Sequence, residues 1–126
     1  FFKFLKKNLS SLKEFFILPE ALPKSDPSWF GFPITITDNA PFSRDEIVVY
    51  LNENNIATRL LFGGNLLKQP YMLDVPYRTH GEIKNADIVM RNTFWIGVYP
   101  GLGEKELEYM VTKIDDFVSQ FSFVRS

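Results

Sequence analysis

The feature that most constrains this fold lies near the C-terminal end of the sequence. From about Glu104 onward, Leu107, Met110, Val111, Ile114, Phe117, Val118 and Phe121 form one continuous apolar stripe, with Glu and Asp on the other side. Such a stripe is one face of a helix of several turns, and it needs an apolar surface to cover it. Three short runs can supply that surface. Residues 28–37 (SWFGFPITIT), 56–62 (IATRLLF) and 93–99 (TFWIGVY) are rich in aromatic and β-branched residues and read as strands. Pro33 predicts an edge position or a bulge in the first of them.

The intervening segments are helical. Ser43 and Glu46 have the spacing of a capping box, Ile47, Tyr50 and Leu51 follow on one face, and Asn54-Asn55 suits a stop. A short helix is expected at residues 86–91, and Pro100-Gly101 closes the last strand. Near the start, Phe2, Leu5, Leu9, Leu12 and Phe16 mark a further helix, expected to run to residues 14–16. It should end before the prolines of residues 18–27, which make an extended connector. The order predicts an α+β fold: a small mixed three-stranded sheet with helices mainly on one face. The strand–helix–strand step from Trp29 to Phe62 is expected to give the parallel pair.

A chain of 126 residues suffices for one hydrophobic core. Its formal net charge of -1 leaves no dominant sign with which to attract nucleic acid or an anionic membrane. It contains no Cys, which rules out disulfides and thiolate metal sites within this stretch and fits a reducing, cytoplasmic setting. No apolar run approaches the roughly 18 residues needed to span a bilayer. The opening FFKFLKKNLSSLKEFF is broken by lysines and lacks a small-residue cleavage site, so it does not read as a targeting segment. It also lacks Met and an N-cap, so residues 1–17 are expected to be the end of a helix leading from a missing large domain. Residues 18–126 would then form the domain proper.

No P-loop, dinucleotide-binding glycine motif or HExxH occurs, and the single histidine, His80, cannot build a His-based metal cluster. No catalytic residue and no metal ligand is assigned. Asp115-Asp116 read as a solvated helix face. The unusual segment is residues 63–85, with little periodicity and much turn chemistry, longer than a compact domain normally tolerates without a function. With the preceding Arg59 it gathers Asn65, Lys68, Gln69, Tyr71, Arg78 and His80. An Arg fork suits phosphate, and Asn or Gln can both donate to and accept from sugar hydroxyls. Arg59, Asn65, Gln69, Tyr71 and His80 are the candidate substrate-binding residues. The alternative for Asn65 and Gln69 is a turn held by side-chain bonds to backbone, and for His80 a turn residue beside Gly81. Lys68 and Arg78 read as solvated, and Trp29, Phe30 and Trp95 as core.

Residues 25–36 (SDPSWFGFPITI), 58–72 (TRLLFGGNLLKQPYM) and 92–102 (NTFWIGVYPGL), in that order, resemble the C-terminal end of the nucleotide-sugar 3-dehydratases. These form a branch of the DegT/StrS pyridoxal-phosphate (PLP) aminotransferase superfamily. The resemblance implies the C-terminal small domain of an aspartate-aminotransferase-type (fold type I) enzyme, which lines a sugar-nucleotide site without being catalytic alone. It implies PLP, or its amine form PMP, in the parent protein but no cofactor in this stretch. It further implies an iron–sulfur cluster and a partner reductase in the CDP-sugar branch, a homodimer, and a role in making 3,6-dideoxyhexoses for lipopolysaccharide O-antigen. Two alternatives stand beside it: the small domain of a keto-sugar aminotransferase, and a free-standing α+β ligand-binding module. The run TRLLFGGN resembles the dehydratase branch, whereas the aminotransferases carry a Pro-Leu-His type sequence there.

Overall fold

A computed structural model describes residues 1–122. Helix α1 (Phe2–Leu9) buries Leu5 and Leu9. It stops short of residues 14–16. Ser10 turns its hydroxyl onto the Lys7 carbonyl at 2.7 Å, and a 3-10 turn follows at Ser10–Leu12. Short polar side chains that bond nearby backbone compete in this way with helix propagation. Phe16 keeps the apolar rhythm, but as part of strand β1 (Phe16–Ile17).

Strands β2 (Gly31–Ile36), β3 (Thr58–Leu60) and β4 (Thr93–Gly97) join β1 in one sheet of order β1-β2-β4-β3. Every neighbouring pair is antiparallel. The α+β class stands, but the sheet has four strands and no parallel pairing, which corrects the mixed three-stranded sheet. Helix α2 (Arg44–Glu53) carries the chain from β2 past one open position to β3, and β4 later fills that position. Strands β2 and β3 therefore run the same way without bonding each other. The short β1 merges in sequence with the end of a helical stripe, so periodicity alone cannot reveal it. It pairs only with Thr35 and Ile36, so Pro33 lies beyond its end, as at an edge, and its missing N–H costs no ladder bond.

Pairing of Phe32 with Ile96 and of Ile34 with Phe94 sets these residues on one face of the sheet. They are fully buried with Leu5 and Leu9, with Ile47 and Leu51 of α2, and with Leu107 and Ile114 of α4 (Glu104–Ser122). Phe42 joins these layers: the rings of Phe15, Phe16, Phe117 and Phe121 lie between 5.0 and 6.0 Å from its own. It is the residue before the N-cap of α2. There the Ser43 hydroxyl accepts the Glu46 N–H at 3.3 Å while the Glu46 carboxylate accepts the Ser43 N–H at 2.6 Å. The backbone hydrogen bond from Ser43, with help from its hydroxyl, holds the Glu46 carboxyl below the usual carboxylate range. The far end of α2 stops at Asn55, whose φ is 61°. Ile56 N–H reaches back to the Leu51 carbonyl at 2.9 Å and Asn55 N–H to that of Asn52 at 3.1 Å, a Schellman closure. Helix α3 (Lys84–Asn92) runs directly into β4 and packs against β2 and β4. Among the described residues no helix is long and apolar enough to cross a membrane.

Candidate functional site

The alternation that buries Phe94 and Ile96 turns Trp95 to the opposite face of the sheet, across the ladder from Pro33 and Arg59. The indole lies directly on Gly31: a Cβ there would come within 2.0 Å of Trp95 Cε3. Only a residue without a side chain permits that approach. Phe30 leans on Trp95 at 4.8 Å between ring centroids and Phe62 at 5.8 Å, and these two rings remain 78% and 80% exposed. The Trp95 Nε1–H is shielded from solvent and has no hydrogen-bond partner among the described residues. A buried donor left unpaired costs about 1–3 kcal/mol, so a group that accepts from it would be stabilised here.

Arg59 donates to the Thr58 carbonyl at 3.0 Å, and no carboxylate pairs with it among the described residues. Arg59, Phe30, Ala57, Trp95, Ile96 and Gly97 line a cleft of about 240 Å³. Flat aromatic surfaces, a guanidinium fork and an indole N–H together suit a planar base joined to an anion. Both polar groups are donors, and no acid is present to face a pyridine nitrogen, so this cleft does not fit the PLP ring. A larger cleft of about 500 Å³ adjoins it at Ala57 and Gly97 and is lined by Ile56, Leu102, Lys105, Glu106 and Tyr109. Its Tyr109 hydroxyl already donates to the Asn54 carbonyl at 2.9 Å, and Lys105 and Glu106 bring opposite charges together. The smaller cleft is therefore the better anion site.

The loop divides into two halves. At its start Phe62 takes a positive φ of 52° and Gly64 one of 61°. Gly64 lies against α3, where a Cβ would fall 2.4 Å from that of Met90. Asn65, only 5% exposed, accepts the Leu67 N–H at 3.1 Å and donates to Asp87 of α3 at 2.8 Å. Lys68 reaches the same Asp87 oxygen at 3.0 Å. The Asn65 hydrogen bond first, and Lys68 second, hold the Asp87 carboxyl below the usual range. Gln69 donates to the Gly63 carbonyl at 2.7 Å. The amides of Asn65 and Gln69 thus bond within the loop and to α3. Tyr71 and His80 are exposed, and neither makes a hydrogen bond or ion pair among the described residues.

The five candidate residues therefore fall into three settings. Arg59 stands on the aromatic face, Asn65 and Gln69 shape the loop, and Tyr71 and His80 lie free on its surface. Phe30 and Trp95 lie outside the core expected of them, and Phe62, which carries no signal in the sequence, joins them on this face. The signal for Trp95 is the period of two in TFWIG, which puts it on the side opposite Phe94 and Ile96. Among the described residues no group of three His, Cys, Asp or Glu could hold a metal ion.

The sequence profile of the DegT/DnrJ/EryC1/StrS aminotransferase family matches residues 1–115. The lipopolysaccharide biosynthesis protein RfbH of Salmonella typhimurium is 53% identical over 116 residues, which is 92% of this chain and 26% of that protein. The dTDP-4-dehydro-2,6-dideoxy-D-glucose 3-dehydratase of Saccharopolyspora spinosa is 48% identical over 118 residues, 94% of this chain and 25% of the relative. This chain thus spans about a quarter of the curated relatives that it matches. The structure of the E. coli GDP-4-keto-6-deoxy-D-mannose-3-dehydratase with bound hydrated PLP superimposes with a TM-score of 0.78 at 22% identity, over 88% of this chain and 28% of the other. That likeness shows the fold, an α+β unit of the kind found in PLP enzymes of fold type I.

Proposed function

Because the chain belongs to the DegT/DnrJ/EryC1/StrS aminotransferase family, we propose that it is the C-terminal small domain of a PLP-dependent nucleotide-sugar 3-dehydratase, made of residues 18–126 and entered through residues 1–17, of which α1 is the helical part and β1 joins the sheet. Its part is to hold the nucleotide. The observation that carries this is the juxtaposition of Arg59 with the exposed Phe30–Trp95–Phe62 surface and the unpartnered indole N–H. The base lies against the rings and the diphosphate meets the guanidinium. Exposed Tyr71 and His80 approach the sugar, while Asn65 and Gln69 act through the shape of the loop that carries them. Relatives named as 3-dehydratases support the reaction class, and the relative named for lipopolysaccharide biosynthesis supports a place in that process.

In this reading PLP or PMP is held by parts of the protein outside this chain. It supplies the electron sink for loss of the C3 hydroxyl. The residues here bind the nucleotide, orient the sugar and exclude water. An iron–sulfur cluster, a partner reductase, a homodimer and a cytoplasmic setting belong to the same proposal, and with no Cys in this chain any cluster ligands lie elsewhere. The nearest competing reaction is amino transfer to the same class of keto sugar. Incubation of the full-length protein with a nucleotide-linked 4-keto-6-deoxyhexose should release the C3 oxygen, visible as a mass loss in the sugar. Formation of an amino sugar from L-glutamate, with the C3 hydroxyl kept, would establish the aminotransferase instead.

A further inference from the structure

Phe62 combines two unfavourable features: a non-glycine residue in the left-handed region, and a large ring 80% exposed to water. A conformation of this kind costs of order 1–3 kcal/mol and persists only where neighbouring structure fixes it. What fixes it lies directly downstream. Gly64 abuts Met90, and Asn65 is held to Asp87 at 2.8 Å with Lys68 bridging the same oxygen at 3.0 Å. Asp87 and Met90 belong to α3, which continues without a break into β4 and Trp95. Arg44 of α2 donates to the Met90 carbonyl at 2.8 Å and braces that helix. The ring of Phe62 and the ring of Trp95 are thus tied to one rigid unit from two sides.

We propose that Asn65, Asp87 and Lys68 form a clasp of positioning residues that holds the strained Phe62 ring over Trp95 and so sets the aromatic wall of the nucleotide site. The proposal rests on the reading of that face as the nucleotide site. The clasp itself touches no substrate. Both functional ends of the Asn65 side chain are engaged, one by Leu67 N–H and one by Asp87, and the residue is nearly buried. Beyond Met72 the loop has no comparable tie among the described residues. Leu73, Val75 and Tyr77 are exposed, and the sole ion pair of residues 73–83 among those described is the exposed one from Glu82 to Lys84.

The test exchanges the two members of the clasp in the full-length protein. Asn65→Asp sets two carboxylates against each other, whereas Asn65→Asp with Asp87→Asn restores one donor and one acceptor with their positions exchanged. Asn65→Asp should speed amide hydrogen exchange over residues 61–72 and raise KM for the nucleotide sugar about tenfold, with kcat within about twofold of wild type. The double exchange should bring both quantities back to within about threefold of wild type. Asp87→Asn alone keeps an oxygen toward Asn65 and loses the charge facing Lys68, so it should fall between the two. It also serves as a second variant if Asn65→Asp folds poorly. Unchanged loop exchange in both single variants, or a double variant as impaired as Asn65→Asp, would overturn the clasp. Faster loop exchange with an unchanged KM would overturn the placement of substrate on this face, so the two failures are told apart.

Discussion

Arg59→Ala in the full-length protein should raise KM for the nucleotide sugar by about ten- to a hundredfold while leaving the unfolding midpoint within experimental error. The range follows from the loss of one charge-assisted contact to phosphate, worth about 1.5–3 kcal/mol. The neutrality toward stability follows from the setting. Arg59 sits on edge strand β3, exposed, with its hydrogen bond going to the carbonyl of its own neighbour, Thr58. Arg59→Lys should recover only part of the loss, because an ammonium keeps the charge but not the fork. A lowered midpoint with unchanged kinetics would assign Arg59 to the fold instead.

The largest effect on stability should come from Phe42→Ala, measured by chemical unfolding of the 126-residue chain. Phe42 is 5% exposed, and four aromatic rings from the entry to β1 and from α4 surround it. Truncation leaves a cavity bounded by elements that cannot all close in on it, and a loss of about 3–5 kcal/mol is expected. Phe42→Leu should cost distinctly less, since it keeps most of the volume. A loss under about 1 kcal/mol for Phe42→Ala would mean that α4 is held to the sheet by other contacts.

Phe42 also shows what the sequence could and could not reveal. The capping box one residue later was legible because Ser43 and Glu46 are three apart and act locally. The stripe of α4 and the Asn55 stop were legible for the same reason. The four rings that make Phe42 a hub come from distant parts of the chain, and no spacing records their meeting. Sheet order escaped in the same way: a helix between two strands predicts their direction, but not that β4 will enter between them. The long loop announced itself by its length and turn residues. The partition of its polar groups did not, because the fate of Asn65 depends on Asp87, 22 residues away and on a helix. The aromatic face was not legible from residue type, because Trp and Phe more often lie in a core.

The most direct measurement is amide hydrogen exchange of the full-length protein with and without a saturating nucleoside diphosphate that lacks the sugar. Residues 58–65 and the segment around Phe30 should exchange more slowly when the nucleotide is bound, and Arg59→Ala should abolish that protection. Protection that falls elsewhere in the protein, with residues 58–65 unchanged, would contradict the placement of the nucleotide on the Arg59–Trp95 face.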